Sequence, residues 1–302
     1  MADGKRYLVV TADDFGIGPA TSRGILDLAA DGLVTCTVLL VNSPYAPAAV
    51  DAWKATGRRP ELGWHPCLTL DRPVLPVSEV PSLVRPDGSF WPLGAFLRRL
   101  LGGALRAEEI RAELTAQIRR FEMLVGHAPT AVNSHHHVQV FSPVGRILLE
   151  VLHGDHPLPY VRRVGEPWSM LTAVPGARAK RALLSLLGRR DAARQTKLGF
   201  PGNEWLAGVT DPPCVKDPEF LSRWLARLPG NVVELTCHPG HRDETLLGRD
   251  ATLSNGQMQR RVDEFHLLSR PDFREACRAA GFTRVAPEEW LAFSRPGTAH
   301  AA

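Results

Sequence analysis

The chain has 302 residues, 44% hydrophobic and 23% charged, which excludes a largely disordered protein and leaves room for one large α/β domain that needs no staple to fold. Lysine and arginine exceed the acids by 36 to 32. So small an excess, with no nucleic-acid-reading module in view, excludes nucleic acid as a partner, while the pI near 8.9 leaves an anionic surface open.

Tyr7 to Thr11 is a short β-branched, apolar run of the buried-strand type, and it gives way to the polar cluster Ala12-Asp13-Asp14-Phe15-Gly16. Helical spacing follows from about Pro19 to Asp31, with Gly32 as its stop, and Cys36 to Val41 reads as a second strand, completing a βαβ opening. Glu61 to His65 reads as a third strand ending on a histidine. Leu70 to Phe90, rich in proline and turn residues, reads as a long substrate-facing loop. Ala107 to Val125 is an amphipathic helix with Glu108 and Glu109 placed for its dipole and Gly126 as its stop. Ala131 to His135 is another strand ending on histidine, and Val144 to Leu152 another helix. Ala177 to Arg194 mixes arginines with leucines and suits contact with a membrane surface, although solvated arginine faces are common. Asn231 to Cys237 is a last core strand, followed at once by His238-Pro239-Gly240-His241. A helix from Pro271 to Gly281 leads to a strand near Phe282 to Val285, and a frayed tail closes the chain at about 295–302.

The five cysteines, Cys36, Cys67, Cys214, Cys237 and Cys277, include no C-x-x-C pair, so neither a disulfide framework nor a thiolate zinc site is expected and a reducing cytoplasm fits. No signal segment opens the chain and no apolar run reaches ~18 residues, so no membrane span is expected. Strands alternating with helices, with polar groups gathered where strands end, predict a parallel sheet or barrel whose site lies at the carboxyl ends of the strands.

The chemistry sits at those ends. Adjacent carboxylates, two separated histidines and a further histidine downstream supply oxygen and imidazole ligands, room for a water, and proton-transfer groups. Singly each has a plain reading: Asp13 or Asp14 as a helix cap, a histidine as a bonded loop residue. Their repetition at strand ends is what points to a metal hydrolase. In an extended His135-His136-His137, alternation sends His135 and His137 to one side and His136 to the other, so one ligates, one packs and one faces substrate or bonds its neighbours.

Thr11-Ala12-Asp13-Asp14-Phe15-Gly16, Gly63-Trp64-His65-Pro66-Cys67-Leu68-Thr69, Asn133-Ser134-His135-His136-His137-Val138 and Cys237-His238-Pro239-Gly240 together resemble the successive signatures of the YdjC-like (ChbG-type) carbohydrate deacetylases. The resemblance runs from about Tyr7 to Gly281 and is strongest to the hopanoid-biosynthesis-associated HpnK branch. It implies a single domain over 1–302, with a core at about 7–285, built as an irregular (β/α) barrel related to the NodB-type polysaccharide deacetylases. It also implies a metal held by Asp14, His65 and His135, with Asp13 as general base. Where Asn133 stands, some relatives carry an aspartate, which puts a carboxylate role there in doubt; an asparagine still accepts a bond from a ligand histidine.

On this reading the ion polarises an acetyl carbonyl and acidifies a water, Asp13 takes the water's proton, and His238 protonates the departing amine with His137 in reserve. Zinc is the expected ion; magnesium, manganese, cobalt and nickel suit the same donors. The branch resemblance implies an N-acetylglucosaminyl hopanoid as substrate, hence cytoplasmic action with peripheral contact at the inner membrane face, through Ala177 to Arg194. A deacetylase of soluble chitooligosaccharides shares every catalytic residue and differs only in the loops around Leu70 to Phe90 and Arg163 to Trp205. A non-catalytic sugar- or metal-binding protein is the third reading, disfavoured because it needs no paired base and acid. Trp91 and Gly199 to Trp205 are candidate sugar or acyl contacts, against an equally good core reading.

Overall fold

A computed structural model describes residues 5–154 and 157–294. Its strands are β1 (Arg6–Phe15), β2 (Cys36–Leu39), β3 (Glu61–Trp64), β4 (Ala131–Val132), β5 (Tyr160–Val161), β6 (Trp205–Ala207), β7 (Val232–Cys237) and β8 (Phe282–Arg284). The helices between them are α1 (Pro19–Ala30), α2 (Ala46–Ala55), α3 (Leu93–Leu101), α4 (Ala107–Val125), α5 (Val144–Leu152), α6 (Trp168–Ala173), α7 (Arg178–Lys197), α8 (Phe220–Leu225), α9 (Gln257–Ser269), α10 (Pro271–Ala279) and α11 (Pro287–Ser294). The expected frayed tail at 295–302 lies outside the described residues.

All strand pairs are parallel, in the order β5-β4-β3-β2-β1-β7-β6, with β8 pairing to β1. The two ends of this sheet approach each other without forming a regular ladder. Val161 donates its N–H to the Pro201 carbonyl and Leu206 to the Gly165 carbonyl, both at 2.8 Å. Between those rungs the side chain of Asn203 replaces a backbone: its Oδ1 accepts from Arg163 N at 2.8 Å and its Nδ2 donates to Arg163 O at 2.9 Å. A Cβ on Gly202 would stand 2.3 Å from the Val161 carbonyl oxygen, so the approach requires glycine. The result is the expected irregular (β/α) barrel.

Alternation along β1 explains its two faces. Val9 packs with Cys36, Val38, Ala131, Tyr160 and Val285 inside the barrel. Leu8, Val10 and Ala12 point outward and pack, with residues such as Ile25 and Leu28 of α1, in the main core. Burying each of the valine, leucine and isoleucine side chains among these contributes about 1.5–3 kcal/mol. Helices α4 and α5 have the predicted bounds, and Gly126 ends α4 in the left-handed conformation at φ 96°.

The loop from Leu70 to Phe90 departs from expectation. Val80, Leu83, Val84 and Phe90 are buried, and α4 clamps its backbone. Glu113 accepts from the Val74 and Leu75 N–H groups at 2.9 and 3.1 Å, and Glu109 accepts from Ser82 N at 2.7 Å. Glu109 stands in the first turn of α4, as the helix dipole favours, and is also buried as a loop anchor. In α7, Arg181 is likewise buried, donating to Glu166 at 2.7 and 2.5 Å, so one cation of the basic stretch is a structural ion pair.

Candidate active site

Strand β1 runs through both aspartates rather than stopping before them. Its register with β2 shifts between Ala12 and Phe15, and Asp14 takes a left-handed φ of 65°, a conformation that aspartate tolerates better than most residues. This bulge breaks the strict alternation, so both consecutive carboxylates are buried at the top of the barrel, 2% and 1% exposed, yet meet different partners.

Asp14 meets the histidines. Its Oδ1 lies 3.2 Å from His65 Nε2, just past β3, and 2.9 Å from His135 Nδ1, just past β4. Its Oδ2 accepts from Arg261 Nη2 of α9 at 2.7 Å. Burial alone would raise the pKa of Asp14, but Arg261 and the two imidazoles hold it well below the usual carboxylate range. For His135 burial opposes the charged form, and the adjacent Asp14 outweighs it and raises the pKa.

Asp13 faces the barrel interior. Arg162, just past β5, grips it at 2.7 and 2.8 Å, Thr236 Oγ1 donates to Oδ2 at 3.0 Å, and Asn133 Nδ2 donates to Oδ1 at 3.0 Å. These four bonds occupy its lone-pair directions. Burial pushes the Asp13 pKa up, but the guanidinium prevails and keeps the carboxyl well below its ordinary range. Arg162, fully buried, also donates to Glu234 at 2.7 Å, and Glu234 accepts from the Tyr160 hydroxyl at 3.1 Å.

Asn133 joins the two carboxylate systems. Because a carboxylate only accepts, Asp13 fixes the amide with Nδ2 toward itself and Oδ1 toward His65, whose Nδ1 it bonds. His65 Nδ1 therefore carries its proton, and a neutral His65 turns the bare Nε2 lone pair toward Asp14 Oδ1. Two acceptors that face each other at 3.2 Å call for a cation between them. Asp14, His65 and His135, all buried, bring one ligand atom each to within 4.8 Å of one another, and His135 Nε2 is buried without a partner. This donor set fits a divalent metal. His135, His136 and Asp250 also meet that distance condition, but of these three only His135 is buried.

The triple histidine is not extended. Residues 135–140 form a short 3-10 turn in which His136 and His137 are left-handed, at φ 57° and 55°. The expected odd-even split is therefore replaced by a tight turn. His135 reaches Asp14, and His136 stacks on His135 at 3.9 Å between centroids and bonds Thr69 Oγ1 at 2.9 Å. His137 enters the cleft wall with Nδ1 unpartnered.

His238 follows β7 on a loop pressed against α1, where a Cβ on Gly240 would lie 2.9 Å from Thr21 Cα. Its backbone N–H donates to Glu264, and its Nε2 lies 3.9 Å from Asp13 Oδ2. Arg260 Nη2 approaches its Nδ1 at 3.4 Å and also pairs with Glu264. Burial in the cleft wall and the Arg260 charge lower the His238 pKa to about 4.

These groups line a cleft of about 270 Å³ that holds Asp13, Asp14, His65, His135, His137 and His238, with Lys180, Arg260 and Arg261 adding positive charge. All five residues expected from the sequence to act are thus brought together. Leu70 to Phe90, Trp91 and Gly199 to Trp205 supply none of the residues lining the cleft. Trp91 Nε1 bonds Ser82 O at 3.1 Å, and Phe200 is buried in the core. The sequence reading missed Arg162, because β5 is only two residues long, and missed Arg260 and Arg261, because α9 went unread. Gly256 and the apolar Met258, Leu267 and Leu268 that follow it are the signals that the sequence offers for α9.

Comparison with known proteins agrees with the fold and the motifs. A solved structure from Enterococcus faecalis V583, provisionally described as a cellobiose-phosphate cleavage protein, shares the fold with a TM-score of 0.76 at 24% identity, over 95% of this chain and 99% of its own. A "Carbohydrate deacetylase" of Mus musculus is 38% identical over 98% of both chains. A "Chitooligosaccharide deacetylase" of Klebsiella pneumoniae subsp. pneumoniae is 30% identical over 92% of this chain and 96% of its own. The model of the YdjC-like protein family matches residues 7–279, a span that takes in the ends of β1, β3, β4 and β7 where Asp13, Asp14, His65, His135 and His238 are mounted, and the chain belongs to that family.

Proposed function

We propose that the chain is a metal-dependent carbohydrate N-deacetylase acting on an N-acetylhexosamine of a soluble chitooligosaccharide. The observation that carries this reading is the buried Asp14, His65 and His135 group opening on a cleft whose wall also presents Asp13 and His238. The named activity of the Klebsiella relative favours the oligosaccharide over the glycolipid anticipated from the branch resemblance, and that of the mouse relative supports carbohydrate deacetylation more generally.

In this reading Asp14, His65 and His135 hold the ion, with zinc our choice among those the donors accept. A bound divalent ion supplies Lewis-acid polarisation of the acetyl carbonyl and acidifies a water. Asp13 is the base, and Oδ2, the oxygen nearer His238, takes the proton by giving up its 3.0 Å bond from Thr236. Arg162 and Asn133 keep that carboxylate aimed while its charge changes. His238 is neutral at rest near pH 7, so the proton it gives the departing amine is one received during turnover across the 3.9 Å gap from Asp13. The five free cysteines support cytoplasmic action.

Acetate release from diacetylchitobiose by metal-reconstituted protein, lost in Asp14→Ala and His135→Ala, is the expected result. Silence with metal bound would shift the reading to a binding role.

One observation favours the glycolipid of the hopanoid-associated branch as a second reading. Trp168, Leu183 and Leu186 are about half exposed on α6 and α7 beside the cleft lysine, with Arg189 over the Trp168 ring at 4.9 Å. Interleaved cations and apolar groups suit an anionic bilayer. No helix of the described residues is long and apolar enough to cross a membrane. Turnover of N-acetylglucosaminyl hopanoid, and vesicle flotation abolished by charge reversal at Arg189 and Arg190, would favour this reading; chitobiose turnover without flotation would exclude it.

A further inference from the structure

Arg261 is 4% exposed and reaches the site from α9, 247 residues along the chain from Asp14. One of its nitrogens, Nη2, serves two carboxylates: Asp14 Oδ2 at 2.7 Å and Asp250 Oδ2 at 2.8 Å. The two oxygens of Asp14 are therefore divided, Oδ2 to the guanidinium and Oδ1 to the space between His65 Nε2 and His135 Nδ1. Asp14 is the sole anion in the ligand group, and Arg261 offsets its charge in direct contact.

We infer that Arg261 is a positioning residue that weakens Asp14 as a metal donor, and that Asp250 sets how far it does so. This inference rests on the metal-site reading above. A carboxylate shared with a guanidinium presents one oxygen and has part of its charge offset, so the ion is held less tightly and keeps more of its charge for a substrate carbonyl. Asp250, partly exposed, accepts from the same Nη2 as Asp14 and so competes with Asp14 for the Arg261 charge. The pair thus acts with opposite signs on one ligand, a relation that simple structural support would not produce.

The test is zinc affinity of the full chain, measured at pH 7.5 by competition with a chromophoric chelator, alongside kcat and KM on diacetylchitobiose. Arg261→Gln should bind zinc on the order of tenfold more tightly, since an adjacent cation changes a carboxylate's affinity for a cation by about that much or more, with kcat lowered and KM little changed. Arg261→Lys should restore most of the wild-type affinity, and Asp250→Asn should bind zinc more weakly by a similar factor. Equal or weaker binding in Arg261→Gln, or a shift of Asp250→Asn toward tighter binding, overturns the inference while leaving the metal site standing. Absence of zinc binding by the wild-type chain overturns the site reading and this inference with it. If Arg261→Gln does not fold, the direction of the Asp250→Asn shift decides.

Discussion

Replacing Arg162 by methionine would remove the cation that two buried carboxylates share. Asp13 would keep its bonds from Thr236 and Asn133 but lose two from the guanidinium, and Glu234 would keep its bond from the Tyr160 hydroxyl but lose the one from the guanidinium. Breaking a fully buried pair by removing one partner costs about 3–5 kcal/mol, because the remaining charge stays out of water. At about 2–4 °C per kcal/mol for a chain of this order of size, the melting midpoint at pH 7 should fall by about 6 °C or more. The pH dependence has a definite sign. In the wild type the depressed pKa of Asp13 contributes stability above the unfolded carboxylate range, lost as pH falls through the folded value. In Arg162→Met the uncompensated carboxylates gain protons more readily, so the variant recovers stability as pH falls and the gap to wild type narrows from pH 7 to pH 4. Adding Glu234→Gln should return at least about 1 kcal/mol, since it neutralises one of the two stranded charges. Urea denaturation of the three proteins across this pH range measures both effects. A loss under about 1 kcal/mol at pH 7, or a double variant no better than the single, would refute the argument that Arg162 neutralises the barrel interior.

Glu61, at the opposite end of the barrel, has its pKa raised to about 7 by burial, against bonds from Thr130 and the Glu288 N–H. Folding favours its protonated form, so stability should decline between about pH 4.5 and pH 7, and urea midpoints of Glu61→Gln should lack that part of the decline. A Cβ on Gly188 of α7 would stand 1.6 Å from the Val164 carbonyl oxygen, so Gly188→Ala should lower the melting temperature as α7 is pushed off the barrel; an unchanged melt would show that α7 shifts freely. Chelation should abolish acetate release and lower the melting midpoint, because an ion that binds only the folded site stabilises it by mass action. Calorimetry on Asp14→Ala should then show the midpoint indifferent to chelator.

Local pattern was enough to locate the acting residues along the chain. Each of Asp13, Asp14, His65, His135 and His238 ends or follows an apolar run, and in a parallel α/β fold all strand ends of one polarity meet at one face. Helices α4 and α5 were equally legible, because their apolar periodicity lies within the helix, and for α4 the stop Gly126 is the next residue. Conformation at those strand ends was not legible: the bulge at Asp14 and the left-handed turn of His136 and His137 exist to satisfy partners far away in sequence, so alternation misassigned the histidines. The same limit applied to the loop from Leu70 to Phe90, whose proline-rich sequence resembles a free loop until Glu109 and Glu113 of α4 bind its backbone. Asn133, read from sequence as a weaker stand-in for a carboxylate, proves to be the amide that donates to Asp13 while accepting from His65, which a carboxylate could do only if protonated. The sequence by itself determined which donors and acids stand at the barrel's mouth, since that depends on strand and helix periods of a few residues. Only the tertiary structure decided their charges and directions, because Arg162 and Arg261 come from elements 149 and 247 residues away from the aspartates they hold, and Coulomb interactions and hydrogen bonds act through space.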